Sequence, residues 1–198
     1  MTDSVSIINV HGEQLEPYVK GLAELRIRVF REFPYLYDGS AAYEREYLKT
    51  YLNAPNSIVI LVLYGDSVVG ASTGLPLSDE TEEFQKPFRE AGIDISEVFY
   101  CGESILLPEF RGLGIYQTFI SGREGHARKL GEFKTICFCA VSRDEDHPLR
   151  PNNYTPLDTI WQKYGYVKRQ DLYTTYRWKD VNENEESDKK MVFWVKDL

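Results

Sequence analysis

The N-terminal part of the chain alternates an apolar run with amphipathic stripes. Val5 to Val10 is a short apolar run typical of a strand. From Tyr18 to Phe33, apolar side chains recur at spacings of three and four, the period of a helix that Pro17 opens and Pro34 ends. A second helical stripe covers Ala41 to Leu52. The opening of the chain therefore predicts a strand followed by two helices.

A hairpin and a longer strand are predicted in the middle of the chain. Ile58 to Tyr64 and Val68 to Leu75 are apolar runs separated by a glycine-containing turn, which predicts two antiparallel strands. Asp79 to Ala91 is polar with a helical period, and Pro87 is expected to interrupt it. Glu97 to Leu107 predicts one further strand.

A long helix and a central strand come next. Apolar residues at helical spacing run from Tyr116 to Leu130, and Gly131 is suited to the helix C-terminus. Thr135 to Val141 is apolar on both faces, which is typical of a strand covered on both sides. Strands thus alternate with helices, and the pattern predicts a single α/β domain over residues 1–198.

The C-terminal part predicts one more helix and a final hairpin. Thr155 is a favourable N-cap for a short helix that ends at Gly165. Tyr173 to Trp178 and Met191 to Val195 predict strands, and Val181 to Lys189 predicts an acidic surface turn between them. If Met191 to Val195 lies at the edge of the sheet, it can pair with a second copy and form a homodimer.

Composition excludes several classes of partner. The 198 residues carry 31 acidic and 23 basic side chains, a net charge of −8, which argues against a nucleic-acid-binding surface and agrees with a cationic acceptor. No leader or long uncharged apolar run occurs, so we expect a cytoplasmic protein without a membrane partner. Cys101, Cys137 and Cys139 lie in apolar runs and are expected to be buried and reduced, and the scattered histidines predict no metal site.

The most informative stretch joins the strand ending at Leu107 to the helix starting at Ile115. Its loop, Arg111 to Gly114, combines a cation with two glycines. The first N–H groups of a helix have no internal partner and carry partial positive charge, so such a loop favours a phosphate. It is neither a Walker loop nor the dinucleotide-binding fingerprint. The alternative is a plain strand-to-helix turn in which glycine serves geometry alone.

The segment Arg111-Gly-Leu-Gly114-Ile-Tyr116, after Leu-Leu-Pro-Glu-Phe, resembles the acyl-CoA loop of the GNAT N-acetyltransferase superfamily, Arg/Gln-x-x-Gly-x-Gly/Ala. Arg111 and Gly114 match, whereas the superfamily prefers Gly or Ala where this chain has Tyr116. The resemblance implies a mixed, twisted α/β sheet of about seven strands with about four helices, whose splayed central strands hold the cofactor. Here those strands are Glu97–Leu107 and Thr135–Val141.

The resemblance also implies acetyl-CoA as co-substrate, with no metal. It implies that the backbone of the strand binds the pantetheine arm and that the loop amides, with one guanidinium, bind the pyrophosphate. The implied cofactor-binding residues are Ile105, Leu106, Leu107, Arg111, Gly112, Leu113, Gly114, Ile115 and Tyr116.

Transfer of an acetyl group to an amine needs a base for the amine and an acid for the thiolate. Glu103, just before the pantetheine-binding run, is the candidate base; the alternatives are that it pairs with a cation or faces solvent, and Glu97 is a weaker substitute. Similar proteins often carry Tyr-x-x-x-Gly-Phe, but that register places Trp161 at the tyrosine, and an indole is no proton-shuttling acid. Tyr154 is therefore the candidate acid, Tyr164 is another, and the thiolate can also leave without direct protonation.

The resemblance implies that the segment between the first two strands shapes the acceptor site, and in this chain that segment includes an aromatic loop with Tyr35 and Tyr37. Tyr43, Tyr47 and Tyr51 share one helix face, which either packs on the core or joins these two tyrosines in an acceptor pocket. The charged run Asp144 to His147 is either a solvated loop or lines the entrance to the acceptor site.

The function expected from the resemblance is transfer of acetyl from acetyl-CoA to an amine of a small molecule or peptide, by direct attack in a ternary complex. One alternative is a non-catalytic acyl-CoA-binding or sensor module on the same fold. The other is a different phosphate-ligand protein, such as a nucleotide binder.

Overall fold

The computed structural model of the protein describes residues 4–198 as a mixed α/β domain. Its strands are β1 (Val5–Val10), β2 (Ile58–Tyr64), β3 (Ser67–Pro76), β4 (Val98–Tyr100), β5 (Ser104–Leu106), β6 (Thr135–Val141), β7 (Val167–Trp178) and β8 (Ser187–Asp197). Its α-helices are α1 (Val19–Phe30), α2 (Ala41–Asn53), α3 (Glu82–Glu90), α4 (Ile115–Leu130) and α5 (Asp158–Lys163). The predicted bounds of β1, β2 and β6 are confirmed.

The eight strands form one open sheet that divides near its centre. The order is β1-β2-β3-β4-β6-β8-β7, and β5 pairs with β3 beyond the end of β4. β4 and β6 form the one parallel ladder described in residues 4–198, from Val98–Thr135 to Tyr100–Cys137. Beyond it, β5 continues along β3 while β6 continues along β8, so the two halves of the sheet splay apart. The predicted splayed fold is confirmed.

The prediction of one continuous strand over Glu97–Leu107 is wrong, because the structure has two strands there, β4 and β5, separated by Cys101 to Glu103. Three residues, Cys101 to Glu103, stand opposite two residues of β3, which makes a β-bulge. A β-carbon at Gly102 would lie 2.0 Å from the hydroxyl oxygen of Tyr51, so this close approach requires glycine. Glu97 itself belongs to a short 3-10 turn before β4.

Dimerisation through the last strand was expected only if that strand lay at a sheet edge, and this condition is not met. β8 extends beyond Met191–Val195 at both ends and lies between β6 and β7, hydrogen-bonded to each. Its backbone groups are therefore already paired, and β8 is not available to a second copy. The edge strand on that side is β7.

Three helices differ from the predicted bounds. Pro17 lies in a 3-10 segment, Gly12–Tyr18, that precedes α1. α5 begins at Asp158, beyond the predicted cap. Pro87 lies within α3 and does not interrupt it. Proline has no N–H to donate to the carbonyl of Glu83, and this carbonyl instead accepts a hydrogen bond from the hydroxyl of Thr174 at 2.6 Å. Within residues 4–198, no helix combines the length and the hydropathy that a membrane span requires.

Glu80 carries a buried carboxyl group at the start of the segment leading into α3. Only 5% of the residue is exposed, and its Oε2 accepts from the backbone N–H of Thr81 at 3.0 Å. Burial raises the pKa of this carboxyl from 4.5 to about 7, a rise that the Thr81 hydrogen bond opposes and the nearby Glu103 increases. The folded state therefore holds the proton more tightly than the unfolded chain.

We predict that Glu80 makes the fold less stable as pH rises. Stability present below pH 4.5 is lost as pH rises through about 7, and the full shift corresponds to about 3 kcal/mol of unfolding free energy. In urea titrations at pH 5 and pH 8, Glu80→Gln should show a smaller difference between the two pH values than the native chain. Glu90→Gln, at an exposed end of α3, is the control; an unchanged difference in Glu80→Gln would contradict the prediction.

Candidate active site

The glycine loop links the end of β5 to α4 and leaves its backbone open. Gly112 and Gly114 have φ of +80° and +78°, the left-handed region that favours glycine, and a β-carbon at either would meet no atom of the described residues within 4 Å. Gly114 caps α4, and no side chain of residues 4–198 accepts a hydrogen bond there. The first N–H groups of a sixteen-residue helix are thus presented beside an accessible backbone.

Arg111 fixes this loop to the strand before it. Its Nε donates to the carbonyl of Leu106 at 3.1 Å, and its Nη2 lies 3.3 Å from a carboxylate oxygen of Glu32. The side chain is half exposed. The guanidinium is therefore held between the end of β5 and Glu32, on the residue that opens the glycine loop.

The predicted pantetheine-binding run lies at the splay. Ile105 and Leu107 are buried and Leu106 is half-buried. In the described part of the chain, β5 has β3 as its sole partner strand, so its opposite edge faces the gap towards β6. That edge carries backbone groups that an extended ligand can pair with.

A small cavity of about 150 Å³, here called the gap cavity, lies between the bulge and β6. Its lining includes Gly102–Ser104 from the bulge, Cys139–Ser142 from the end of β6, and the side chains of Tyr116, Arg123 and Trp161. Trp161 Nε1 donates to the hydroxyl oxygen of Tyr116 at 2.8 Å. The two aromatic residues that depart from the expected motifs are therefore in contact.

Arg123 is a site residue that sequence reasoning missed. It lies on α4 with 2% exposure, and its Nη1 donates to the carbonyl of Glu103 at 3.1 Å and to the Ser104 hydroxyl at 2.9 Å. This guanidinium holds the bulge from one side. Its one sequence signal is a basic residue within the apolar spacing of α4.

A larger cavity of about 610 Å³, here called the tyrosine cavity, opens on the other side of the bulge. Nine aromatic side chains line it, and the tyrosines among them are Tyr35, Tyr37, Tyr43, Tyr47, Tyr100 and Tyr176. The structure thus brings the two predicted acceptor residues together with two of the tyrosines on α2. Tyr51, the third, is fully buried in the core, 3.1 Å from Tyr47 between hydroxyl oxygens.

Glu103 lines both cavities. It is 6% exposed and forms an ion pair with Arg26, which also binds the fully buried Glu44. Burial alone would lower the pKa of Arg26, but Glu103, with Tyr47 and Glu44, raises it well above its usual value, so the guanidinium stays charged. The alternative that Glu103 pairs with a cation is confirmed, and Arg26 is a further residue that the sequence did not reveal.

Other candidates lie outside the two cavities. Tyr154 packs edge-on against Phe33, with ring centroids 4.7 Å apart, and faces the guanidinium of Arg150; it is not among the residues lining either cavity. Burial raises its pKa. The charged run Asp144 to His147 also stays outside both linings, and Glu97 pairs with Lys134 at the surface.

The three cysteines are free and buried, as expected. Cys101 and Cys139 line the gap cavity, where burial raises their pKa to about 11 and about 12. Burial also raises the pKa of Cys137. All three are therefore thiols at neutral pH, which makes them poor nucleophiles.

No family model matches the sequence, and no curated protein sequence matches it. Solved structures do. A GNAT-family acetyltransferase from Staphylococcus aureus Mu50 superposes with a TM-score of 0.62 at 13% identity, over 98% of this chain and 99% of that one. NAA60 of Arabidopsis thaliana, in complex with a bisubstrate analogue, gives 0.60 at 11% identity over 98% and 99%. A GNAT-family acetyltransferase from Streptococcus pneumoniae gives 0.57 at 10% identity over 98% and 100%.

These likenesses span nearly the whole chain. The chain therefore has the fold of the GNAT N-acetyltransferase superfamily.

Proposed function

We propose that the protein is an N-acetyltransferase that moves an acetyl group from acetyl-CoA to an amine of a small molecule or peptide. The observation that carries this proposal is the position of Glu103, which lines both the gap cavity and the tyrosine cavity. A thioester in the first cavity and an amine in the second would meet at this carboxylate. The single most direct test is thiol release from acetyl-CoA in the presence of a panel of amines.

The cofactor's place in this proposal follows from the loop and the free edge of β5. The pyrophosphate would be held by the N–H groups from Gly112 to Tyr116 and by the Arg111 guanidinium. The pantetheine arm would lie along Ile105 to Leu107, on the edge of β5 that faces the gap. Acetyl-CoA would supply the activated acetyl group, and these residues would direct its thioester towards the bulge.

Glu103 would act as the base. Its Oε2 is in ion-pair contact with Nη1 of Arg26, and neither carboxylate oxygen has a hydrogen-bond partner within residues 4–198. An oxygen in that condition is available to accept a proton from an incoming ammonium, directly or through water. Arg26 would fix the carboxylate in place and remain charged throughout the reaction.

We infer that Tyr116, rather than Tyr154, protonates the leaving thiolate. An indole N–H only donates, so the Tyr116 hydroxyl accepts from Trp161 and keeps its own proton for another acceptor. Tyr116 lines the gap cavity, and burial raises its pKa, so it stays protonated at neutral pH. Tyr154 remains the prediction from sequence, but its hydroxyl would have to act from outside the cavity walls.

The state of the cysteines supports direct attack in a ternary complex. Burial keeps Cys101 and Cys139 protonated beside the gap cavity, so a covalent acetyl-cysteine route lacks a thiolate. NAA60 of A. thaliana binds a bisubstrate analogue, and a direct route here would likewise need both substrates bound at once. Binding of acetyl-CoA without turnover on any amine would instead support the sensor alternative.

The first prediction of this proposal concerns the phosphate contact. Arg111→Gln should weaken CoA binding by about tenfold or more, because a charged hydrogen bond contributes about 1.5–3 kcal/mol. Isothermal titration calorimetry measures it, with Arg128→Gln near the other end of α4 as the matched control. Equal affinity of the native chain for CoA and ATP would refute the assignment of the loop to CoA.

The second prediction concerns the base. Glu103→Gln should lower kcat by about 100-fold or more, since general-base catalysis contributes that much, and should leave CoA affinity nearly unchanged. Steady-state thiol release and calorimetry separate the two effects. Glu97→Gln is the matched control and should retain native rates; native rates in Glu103→Gln would remove Glu103 from the mechanism.

The third prediction concerns the acid. Tyr116→Phe keeps the ring but removes the hydroxyl, and should lower kcat by about 10-fold or more with little change in CoA affinity. Tyr154→Phe is the paired variant, and its rate should stay near native. The reverse pattern would restore Tyr154 as the acid, and two unaffected variants would mean that the thiolate leaves without either hydroxyl.

A further inference from the structure

The tyrosine cavity carries more information about its ligand than the presence of a base. Its volume of about 610 Å³ suits a small organic molecule. Nine of its lining residues are aromatic, so most of the wall offers apolar ring surface with a hydroxyl at the edge. Such a wall favours a ligand with an apolar, preferably aromatic, body over a sugar or another strongly hydrated molecule.

The charges of the lining favour a cation. Five carboxylates line the cavity against three basic groups. At its inner end, Glu44 and Glu103 share one guanidinium, that of Arg26, which leaves an excess negative charge in a buried place. Both carboxylate oxygens of Glu103 lack a hydrogen-bond partner within the described chain, and Oε2 is in ion-pair contact with Arg26. Burying such an oxygen is costly, and an ammonium group that donates to it would remove the cost.

The charged residues at the outer rim of the tyrosine cavity also favour a cation. Lys179 is neutralised by Asp38, with nitrogen and oxygen 2.6 Å apart, and Arg177 faces Asp188 at 3.7 Å. Glu185 and Glu186 also line the cavity, and neither forms an ion pair with any residue in the range 4–198. A cation is therefore drawn to the mouth as well as held at the inner end.

Some aromatic rings of the tyrosine cavity pack against Arg26, and others border the space in which a ligand could bind. The guanidinium of Arg26 lies 4.2 Å from the ring centre of Tyr47 and 5.0 Å from that of Phe30. Tyr100 is buried against Phe84, whereas Tyr35, Tyr37, Tyr43 and Tyr176 are at least partly exposed. Among them, Tyr43 and Tyr176 bring their hydroxyl oxygens to 2.5 Å, which joins α2 to β7 across the outer part of the cavity.

We propose that the tyrosine cavity binds a compact arylalkylamine, with its single ammonium group at Glu103 and its ring among the tyrosines. A peptide would place polar backbone groups along an apolar wall, and a polyamine would place several charges there. That the bound amine is acetylated rests on the function proposed above, whereas its binding does not. The proposal thus names the acceptor class within the broader range of amines.

Calorimetry on the full chain without cofactor tests the binding directly. Phenylethylamine should bind at least about tenfold more tightly than phenylethanol, which lacks the charge, because a hydrogen bond to a charged group contributes about 1.5–3 kcal/mol. It should also bind more tightly than spermidine or a tetrapeptide with a free amino terminus. Equal binding of the alcohol, or tighter binding of spermidine or the peptide, would overturn the proposal.

Two variants locate the site. Glu103→Gln should reduce the preference for amine over alcohol, and Tyr37→Leu should weaken phenylethylamine binding, whereas Tyr173→Leu, exposed on β7 and outside the cavity, should bind like the native chain. If Glu103→Gln does not fold, Tyr37→Leu carries the test alone. Native affinity in Tyr37→Leu would place the ligand elsewhere and refute the site.

The outcomes separate this proposal from the proposed function. Phenylethylamine binding without any CoA binding would leave the amine site standing and refute the acetyltransferase. Acetylation of the tetrapeptide without phenylethylamine binding would leave the acetyltransferase standing and refute the arylalkylamine site.

Discussion

The two halves of the sheet meet in one short parallel ladder, and the site exists because that ladder stops. After Tyr100 and Cys137, one last backbone bond joins Cys101 to the carbonyl of Cys137, at 2.8 Å, and the strands then follow different partners. Beyond this point each strand pairs only within its own half of the sheet: β5 pairs with β3, and β6 pairs with β8. The gap therefore leaves one edge of β5 open without breaking the ladders on either side, and the gap cavity borders on it.

The bulge that follows is held by two buried guanidinium groups. Arg123 reaches it from α4 through the carbonyl of Glu103, and Arg26 reaches it from α1 through the carboxylate of the same residue. Buried ion pairs contribute little net stability, yet removing one partner costs about 3–5 kcal/mol because the other charge is left alone. The ion pair with Arg26 thus fixes the position of the Glu103 carboxylate more effectively than it stabilises the fold, which agrees with the role proposed for Glu103.

The sequence predicted the parts of this fold that depend on local pattern. β1, β2 and β6 are apolar runs ended by turn residues, so their bounds could be predicted without knowing their neighbours. The position of β8 between β6 and β7 could not, because apolar alternation shows that a strand exists and not which strands flank it. Pro87 was misjudged for the same reason: the hydroxyl that satisfies the carbonyl of Glu83 comes from Thr174, far along the chain.

The site shows the same division between local and distant causes. The glycine loop could be predicted because positive φ and an open helix N-terminus depend on adjacent residues. The role of Arg26 could not, because it depends on two carboxylates, one from α2 and one from the bulge, that contact it only in the fold. Tyr116 and Trp161 are instructive because each, taken alone, weakens the expected motif. In the fold, the indole N–H of Trp161 donates to the hydroxyl oxygen of Tyr116. Because an indole cannot accept a hydrogen bond, the hydroxyl proton of Tyr116 stays available at the gap cavity. A motif mismatch can therefore be judged only together with the residue that contacts it.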